Sequence, residues 1–256
     1  MIVQEICPVV RVRQAGDNVH VIAFTSAAIA RSAKAGQFLN VRVEGGTDPL
    51  LRRPFSVYRT DGELVELIFN VIGKGTALLR GKRPGDTIDI LGPLGVPFSL
   101  TAGDFTTAIL VGGGLGVAPL PIATATLRDV GVPVATFLGA RGAGQIVDAY
   151  LENLSVATDD GTRGFHGNVV ELLRTTLTRH PYTNPKVFAC GPTAMLKALG
   201  AFAIQNDIPC EVSLEGPMAC GIGICQGCPV EMTGGEKKFS LMCKDGPTFD
   251  VRTIRL

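Results

Sequence analysis

Four cysteines near the C-terminus carry the strongest chemical signal in the chain: Cys220, Cys225, Cys228 and Cys243, spaced C-x4-C-x2-C-x14-C. A [2Fe-2S] centre takes two thiolates on each iron, and a C-x4-C-x2-C loop followed by a distant fourth Cys lets one segment wrap such a centre. Gly221, Gly223 and Gly227 are interleaved with the first three thiols. Residues without a Cβ adopt positive φ and bring backbone N–H groups close to sulfur. The alternatives are a structural zinc and a set of inert buried thiols. Zinc ribbons usually bring two short-spaced Cys pairs, whereas here only Cys225 and Cys228 are so paired.

Upstream, four further stretches hold residue types suited to ligand chemistry. Arg53-Pro54-Phe55-Ser56 opens a strand with a guanidinium for phosphate, a flat ring for stacking and a hydroxyl. A solvated strand edge reads the same way. Asn70-Val71-Ile72-Gly73-Lys74-Gly75-Thr76 leaves a strand for a short helix, where glycine-freed N–H groups suit phosphate oxygens; an ordinary turn explains it equally well. It is not a Walker loop, because Gly75 follows Lys74 where Ser or Thr is required. Gly112-Gly113-Gly114-Leu115-Gly116 follows an apolar strand run but misses G-x-G-x-x-G, Val117 standing at the last position. It points to pyrophosphate contact without the standard dinucleotide motif. Cys190-Gly191-Pro192 ends a later strand. With no His following nearby to activate it, Cys190 reads as packing or as the lining of a nicotinamide site rather than a nucleophile.

Two kinds of framework must position these groups. Up to about residue 100 the chain is short, β-branched runs such as 9–12, 19–24, 38–43 and 63–69, with Asp61-Gly62 as a hairpin turn. This rhythm predicts an antiparallel sheet closing into a barrel. From about 105, strand runs at 107–111, 133–138, 154–158, 186–190 and 209–214 alternate with helices expected near 119, at 143–151, at 168–179 with Asn168 as N-cap, and at 193–205. Such alternation predicts a parallel sheet covered by helices on both faces. The remainder, 215–256, has little periodicity and holds the cysteine array. Lys and Arg total 24 against 23 Asp and Glu, which gives no electrostatic case for nucleic acid or an anionic membrane. Seven cysteines, an odd number, are not laid out as a secreted disulfide framework. With no basic leader and no long apolar run, the expected compartment is the cytoplasm.

Taken in order, the Arg53, Gly73, Gly112 and Cys190 motifs resemble the flavin and pyridine-nucleotide motifs of the ferredoxin reductase superfamily. The cysteine array, with Cys243-Lys244-Asp245-Gly246-Pro247, narrows this to a resemblance to the electron transfer subunits of class B dihydroorotate dehydrogenases, over essentially the whole chain. The resemblance implies a β-barrel FAD-binding domain at 1–102, a Rossmann-like NAD-binding domain at 103–214 and a small [2Fe-2S] subdomain at 215–256. It implies that Arg53, Pro54, Phe55 and Ser56 hold the flavin, with Asn70, Val71 and Ile72 beside it and Gly75 and Thr76 on its pyrophosphate. Gly113, Gly114, Cys190, Gly191 and Pro192 would line the nicotinamide side, and the four array cysteines would ligate iron. It further implies an FMN-containing TIM-barrel catalytic partner in a heterotetramer. Ferredoxin:NADP oxidoreductase or sulfide dehydrogenase subunits are the related alternative, and a zinc-stapled binding module the unrelated one. This chain departs from the resemblance at Glu215-Gly216-Pro217 and in having Phe55 where Tyr is common.

Overall fold

The computed structural model describes residues 1–43 and 46–256. The first half is a closed six-stranded antiparallel barrel, built in chain order from β1 (Val3–Gly16), β2 (Val19–Thr25), helix α1 (Ala27–Ser32), β3 (Phe38–Arg42), β4 (Arg53–Asp61), β5 (Leu64–Asn70), helix α2 (Lys74–Arg80) and β6 (Thr87–Leu94). The strands close in the order β1-β2-β5-β4-β3-β6. β-branched and aromatic residues favour these pleated, buried positions, and Val21, Ile22, Phe24, Leu39, Val41, Leu67 and Ile90 are all sealed from solvent. The β4–β5 hairpin turns at Gly62, φ +59°, as Asp61-Gly62 predicts.

The second half contains β7 (Thr107–Gly113), helix α3 (Leu120–Asp129), β8 (Val134–Ala140), β9 (Leu154–Thr158), β10 (Phe165–His166), helix α4 (Val169–Arg179), β11 (Pro185–Cys190), helix α5 (Thr193–Gln205) and β12 (Cys210–Ser213). After these come a small hairpin, β13 (Pro229–Glu231) with β14 (Phe239–Leu241), and the short strand β15 (Thr248–Asp250). The sheet order is β10-β9-β8-β7-β11-β12-β15, parallel except at β15. β7, β8 and β11 are near-continuous apolar runs because helices cover both faces. At the start of α4, Asn168 Oδ1 accepts hydrogen bonds from the N–H groups of Val170 and Glu171 at 3.1 and 3.0 Å, the capping box read from the sequence.

The helix expected at 143–151 is absent. Only one 3-10 turn forms, Ala143–Gln145, after which the chain runs as an irregular loop with Tyr150 and Asn153 at positive φ. Its apolar residues serve domain docking instead of a helix face: Ile146 and Val147 are buried, and Tyr150 stacks under the Arg59 guanidinium at 4.3 Å. The Gly144 carbonyl accepts the Asp17 N–H at 2.7 Å, tying this loop to the β1–β2 turn. Among the described residues no helix is long and apolar enough to cross a membrane.

Candidate functional site

Three groups of residues gather where the barrel, the sheet and the C-terminal segment meet. The first lies on the barrel. β3 and β4 pair so that Phe38, Leu39 and Asn40 face Ser56, Phe55 and Pro54. The Arg53 guanidinium donates to the Leu51 carbonyl, and its stem occupies the space beside Gly75, where a Cβ would come 2.8 Å from Nε. A side chain at position 75 would displace the Arg53 guanidinium. Thr76 Oγ1 accepts from the N–H groups of Ile72 and Gly73 at 3.0 and 3.2 Å, so its hydroxyl caps its own helix. The Asn18 side chain holds both the N–H and the carbonyl of Val71. Asn70 Oδ1 is buried with no partner, Phe55 meets Phe69 edge-on at 6.0 Å, and Ile72 is 86% exposed. An orphaned acceptor, an uncovered apolar side chain and a guanidinium on one barrel edge fit a flat-ringed, phosphate-bearing group such as FAD.

The second group is a cleft of about 650 Å³ between the barrel and the carboxyl edge of the parallel sheet, lined among others by Asn70, Gly113, Gly114, Asp159, Pro192 and Met195. Ligands of doubly wound sheets bind at this edge. The turns after β7 and β11 touch backbone to backbone. A Cβ on Gly116 would overlap the Cys190 carbonyl, and one on Gly191, φ +152°, would sit 3.0 Å from the Gly113 nitrogen. Gly113, Gly114 and Pro192 therefore line one wall while Cys190 lies beneath it, buried, donating its S–H to Glu215 Oε1 at 3.8 Å. Burial, and then the Glu215 charge, push this thiol well above its ordinary pKa, which suits packing and not nucleophilic attack. Gly116→Ala is expected to prise the two turns apart, weakening NADH binding at least about tenfold and lowering stability by about 2 kcal/mol. Nicotinamide titration and a thermal melt would measure both, and unchanged binding would show that the close approach does not shape the cleft.

Sequence reasoning passed over Asp159 as a site residue. Asp159 and Arg141 both line the cleft, whereas Asp160 turns onto Thr162, accepting from its N–H at 2.9 Å and its hydroxyl at 2.6 Å. Arg163 is held by Asp148 at 2.6 Å. The signal available was position: an acidic residue at the carboxyl end of a parallel strand, where a dinucleotide ribose lies in such folds.

The third group is the cysteine array. Its thiols form two pairs. Cys228 Sγ and Cys243 Sγ are buried 3.3 Å apart, and Cys220 Sγ accepts from the Cys225 N–H at 3.4 Å, the Ile222 N–H at 3.5 Å and the Cys225 thiol. Desolvation opposes ionisation of Cys220, but the N–H donors outweigh it and hold its pKa down at about 6. Burial, then the hydrogen bond with Cys228, pushes Cys243 up to about 12. Two thiol pairs, one of which accepts from two backbone N–H groups, suit a two-iron centre, which takes two thiolates on each iron. Gly221 and Gly223 take positive φ, +71° and +84°, to make that loop. The loop also touches the barrel: Asn40 Nδ2 donates to the Cys220 carbonyl at 3.0 Å, a contact the sequence did not suggest.

Comparisons with known proteins point to one family. Residues 215–255 match a family model described as the iron-sulfur cluster binding domain of dihydroorotate dehydrogenase B. A Desulforamulus reducens protein named dihydroorotate dehydrogenase B (NAD(+)), electron transfer subunit, is 37% identical, with 94% of each chain covered. The Geobacillus thermodenitrificans protein of the same name is also 37% identical, with 97% of each covered. Among solved structures, one reported for the NADH-dependent reduced ferredoxin-NADP oxidoreductase superposes with a TM-score of 0.86 at 30% identity, over 98% of this chain and 90% of the other. A Neisseria gonorrhoeae ferredoxin NADP+ reductase with bound FAD and NADP shares the fold at a TM-score of 0.66 and 19% identity, over 80% of this chain and 91% of the other.

Proposed function

Since the chain belongs to the family of dihydroorotate dehydrogenase B electron transfer subunits, we propose that it carries electrons between a dihydroorotate-oxidising partner and NAD+, through a [2Fe-2S] cluster and FAD, in pyrimidine (UMP) biosynthesis. The observation that supports this most is the meeting of three sites in one chain: a flavin-type barrel edge, a dinucleotide cleft and a paired-thiol loop within hydrogen-bonding contact of the barrel. When bound, FAD exchanges a hydride with the nicotinamide and single electrons with the cluster, which joins two-electron to one-electron chemistry.

This chain's residues bind and orient. Arg53, Pro54, Phe55 and Ser56 are the proposed flavin strand, with Asn70, Val71 and Ile72 beside the ring and Gly75 and the Thr76 backbone at the pyrophosphate. Gly113, Gly114, Gly191 and Pro192 form the nicotinamide wall, backed by Cys190, and Cys220, Cys225, Cys228 and Cys243 are the iron ligands. The corresponding units are 1–102, 103–214 and 215–256. No side chain is assigned as general acid or base. The partner is an FMN-containing TIM-barrel catalytic subunit in a cytoplasmic heterotetramer; the described residues hold a six-stranded antiparallel barrel and no eight-stranded parallel one.

A second reading, a subunit of a ferredoxin-NADP oxidoreductase complex, is favoured by the 0.86 superposition. Anaerobic purification with the native neighbour separates the two. A TIM-barrel flavoprotein supports the first reading and a larger iron-sulfur flavoprotein the second. The purified single chain is expected to oxidise NADH with an artificial acceptor and to leave dihydroorotate untouched. Dihydroorotate turnover by the chain alone would overturn this division of labour.

A further inference from the structure

Asn40 is a polar residue in an otherwise apolar stretch of β3, 1% exposed, between the buried Leu39 and Val41. Its cross-strand neighbour is Pro54, inside the proposed flavin strand. Its carbonyl accepts from Arg52 Nη1 at 3.3 Å, and Arg52 is in turn fixed by Asp89 at 2.6 Å, so the backbone at position 40 is anchored from within the barrel. The side chain leaves the barrel and reaches the cysteine loop, where Nδ2 donates to the Cys220 carbonyl at 3.0 Å. Only the amide nitrogen can make this bond, because a carbonyl offers no proton. Gly221, the next residue, has no room for a Cβ, which would overlap Asn40 Nδ2. Asn40 Oδ1 remains buried without a partner. A buried amide half unsatisfied costs more than an apolar side chain of the same shape, so stability alone does not account for Asn at this position.

We propose that Asn40 is a positioning residue for electron transfer: by holding the Cys220 carbonyl from the strand paired with the flavin motif, it sets the conformation of the 220–225 loop and its separation from the flavin. The chain of contacts is short. The Cys220 carbonyl is fixed by Asn40, Gly221 turns at φ +71°, and the N–H groups of Ile222 and Cys225 then point at Cys220 Sγ. Hydrogen bonds to cluster sulfurs stabilise the more negative, reduced state and raise its potential. Without the Asn40 donor the loop loses its tie to the barrel and those N–H groups lose their aim. This inference rests on the proposed [2Fe-2S] site, and it concerns the control of that site by a barrel residue.

The test uses the full chain, purified anaerobically, as wild type, Asn40→Leu and Asn40→Asp. Leu keeps the shape and removes the donor; Asp keeps the shape and turns an acceptor toward the carbonyl. A wild-type chain lacking the EPR signal of a reduced [2Fe-2S] centre would sink the functional reading itself and is thereby told apart from a failure of this proposal. Given that signal, both variants are expected to shift the EPR g-values, to lower the cluster's midpoint potential, and to release iron to a chelator about tenfold faster, with Asn40→Leu melting no lower than wild type and Asn40→Asp, which buries an unpaired carboxyl, melting lower. Should Asn40→Leu fail to fold, Asn40→Asp and Asn40→Gln supply the same readouts. Asn40→Gln, which keeps a donor on a longer arm, is expected to restore part of the wild-type spectrum. Wild-type g-values, potential and iron-release rate in all the folded variants would overturn the proposal.

Discussion

A Cys228→Ala chain is expected to lose most of its iron and to transfer electrons to its one-electron partner at least about a hundredfold more slowly than wild type. Cys228 is the informative ligand to remove because it is buried and its sulfur lies 3.3 Å from that of Cys243. Water has poor access to that position, and no other thiol can take it over without moving the loop. Cys225, by contrast, is exposed, and serine or water can stand in for it at the rim. Iron content and visible absorption report the loss directly. Reduction of bound flavin by NADH in the same sample shows whether the remainder of the chain is folded. Full iron occupancy in Cys228→Ala would remove this residue from the ligand set and with it the two-pair arrangement.

The second large effect concerns nucleotide choice. Asp159 lines the cleft just past β9, where a carboxylate would accept from the 2'-hydroxyl of an NADH ribose and repel a 2'-phosphate. Asp159→Ser is therefore expected to lower kcat/KM for NADH about tenfold and raise it for NADPH by about as much, a swing of roughly a hundredfold in the ratio. The neighbouring Asp160 is a built-in control: its carboxylate is spent on Thr162, so Asp160→Ser should disturb the loop and leave the ratio in place. Steady-state rates with both nucleotides settle the point. An unchanged ratio in Asp159→Ser would move the discriminating contact elsewhere, with Arg141 next in line on the same wall.

Much of this protein is written locally and is legible for that reason. The cysteine spacing, the capping box at Asn168-Glu171 and the Asp61-Gly62 turn each depend on residues close in the chain, and the capping box and the turn form as expected. The alternation of strands in the first hundred residues and the βα rhythm afterwards are likewise local patterns. What could not be read depends on distant partners. Residues 143–151 have a plausible helical composition, yet the barrel surface claims them: the Asp17 N–H takes the Gly144 carbonyl, and Tyr150 packs against Tyr58 and Arg59. Asn40 looks like an ordinary interruption of a strand until the fold brings residue 220 against it. Asp159 is one of two adjacent acids, and only the hydrogen bonds of Thr162 decide which of them faces the cleft. Strand β15, just three residues long, has no signal of its own and exists because β12 offers an open edge.

That last strand bears on how the metal centre is assembled. Ser213 at the end of β12 stands opposite Thr248 at the start of β15, so residues 214–247, with all four thiols, form a loop whose two ends are clamped side by side by the nucleotide-binding sheet. Closing a loop of this length in a free chain costs roughly 3 kcal/mol of entropy. Here the cost is offset by the pairing of β12 with β15 in the sheet. With β12 and β15 paired, only the interior of the 214–247 loop is left to be ordered around the four thiols.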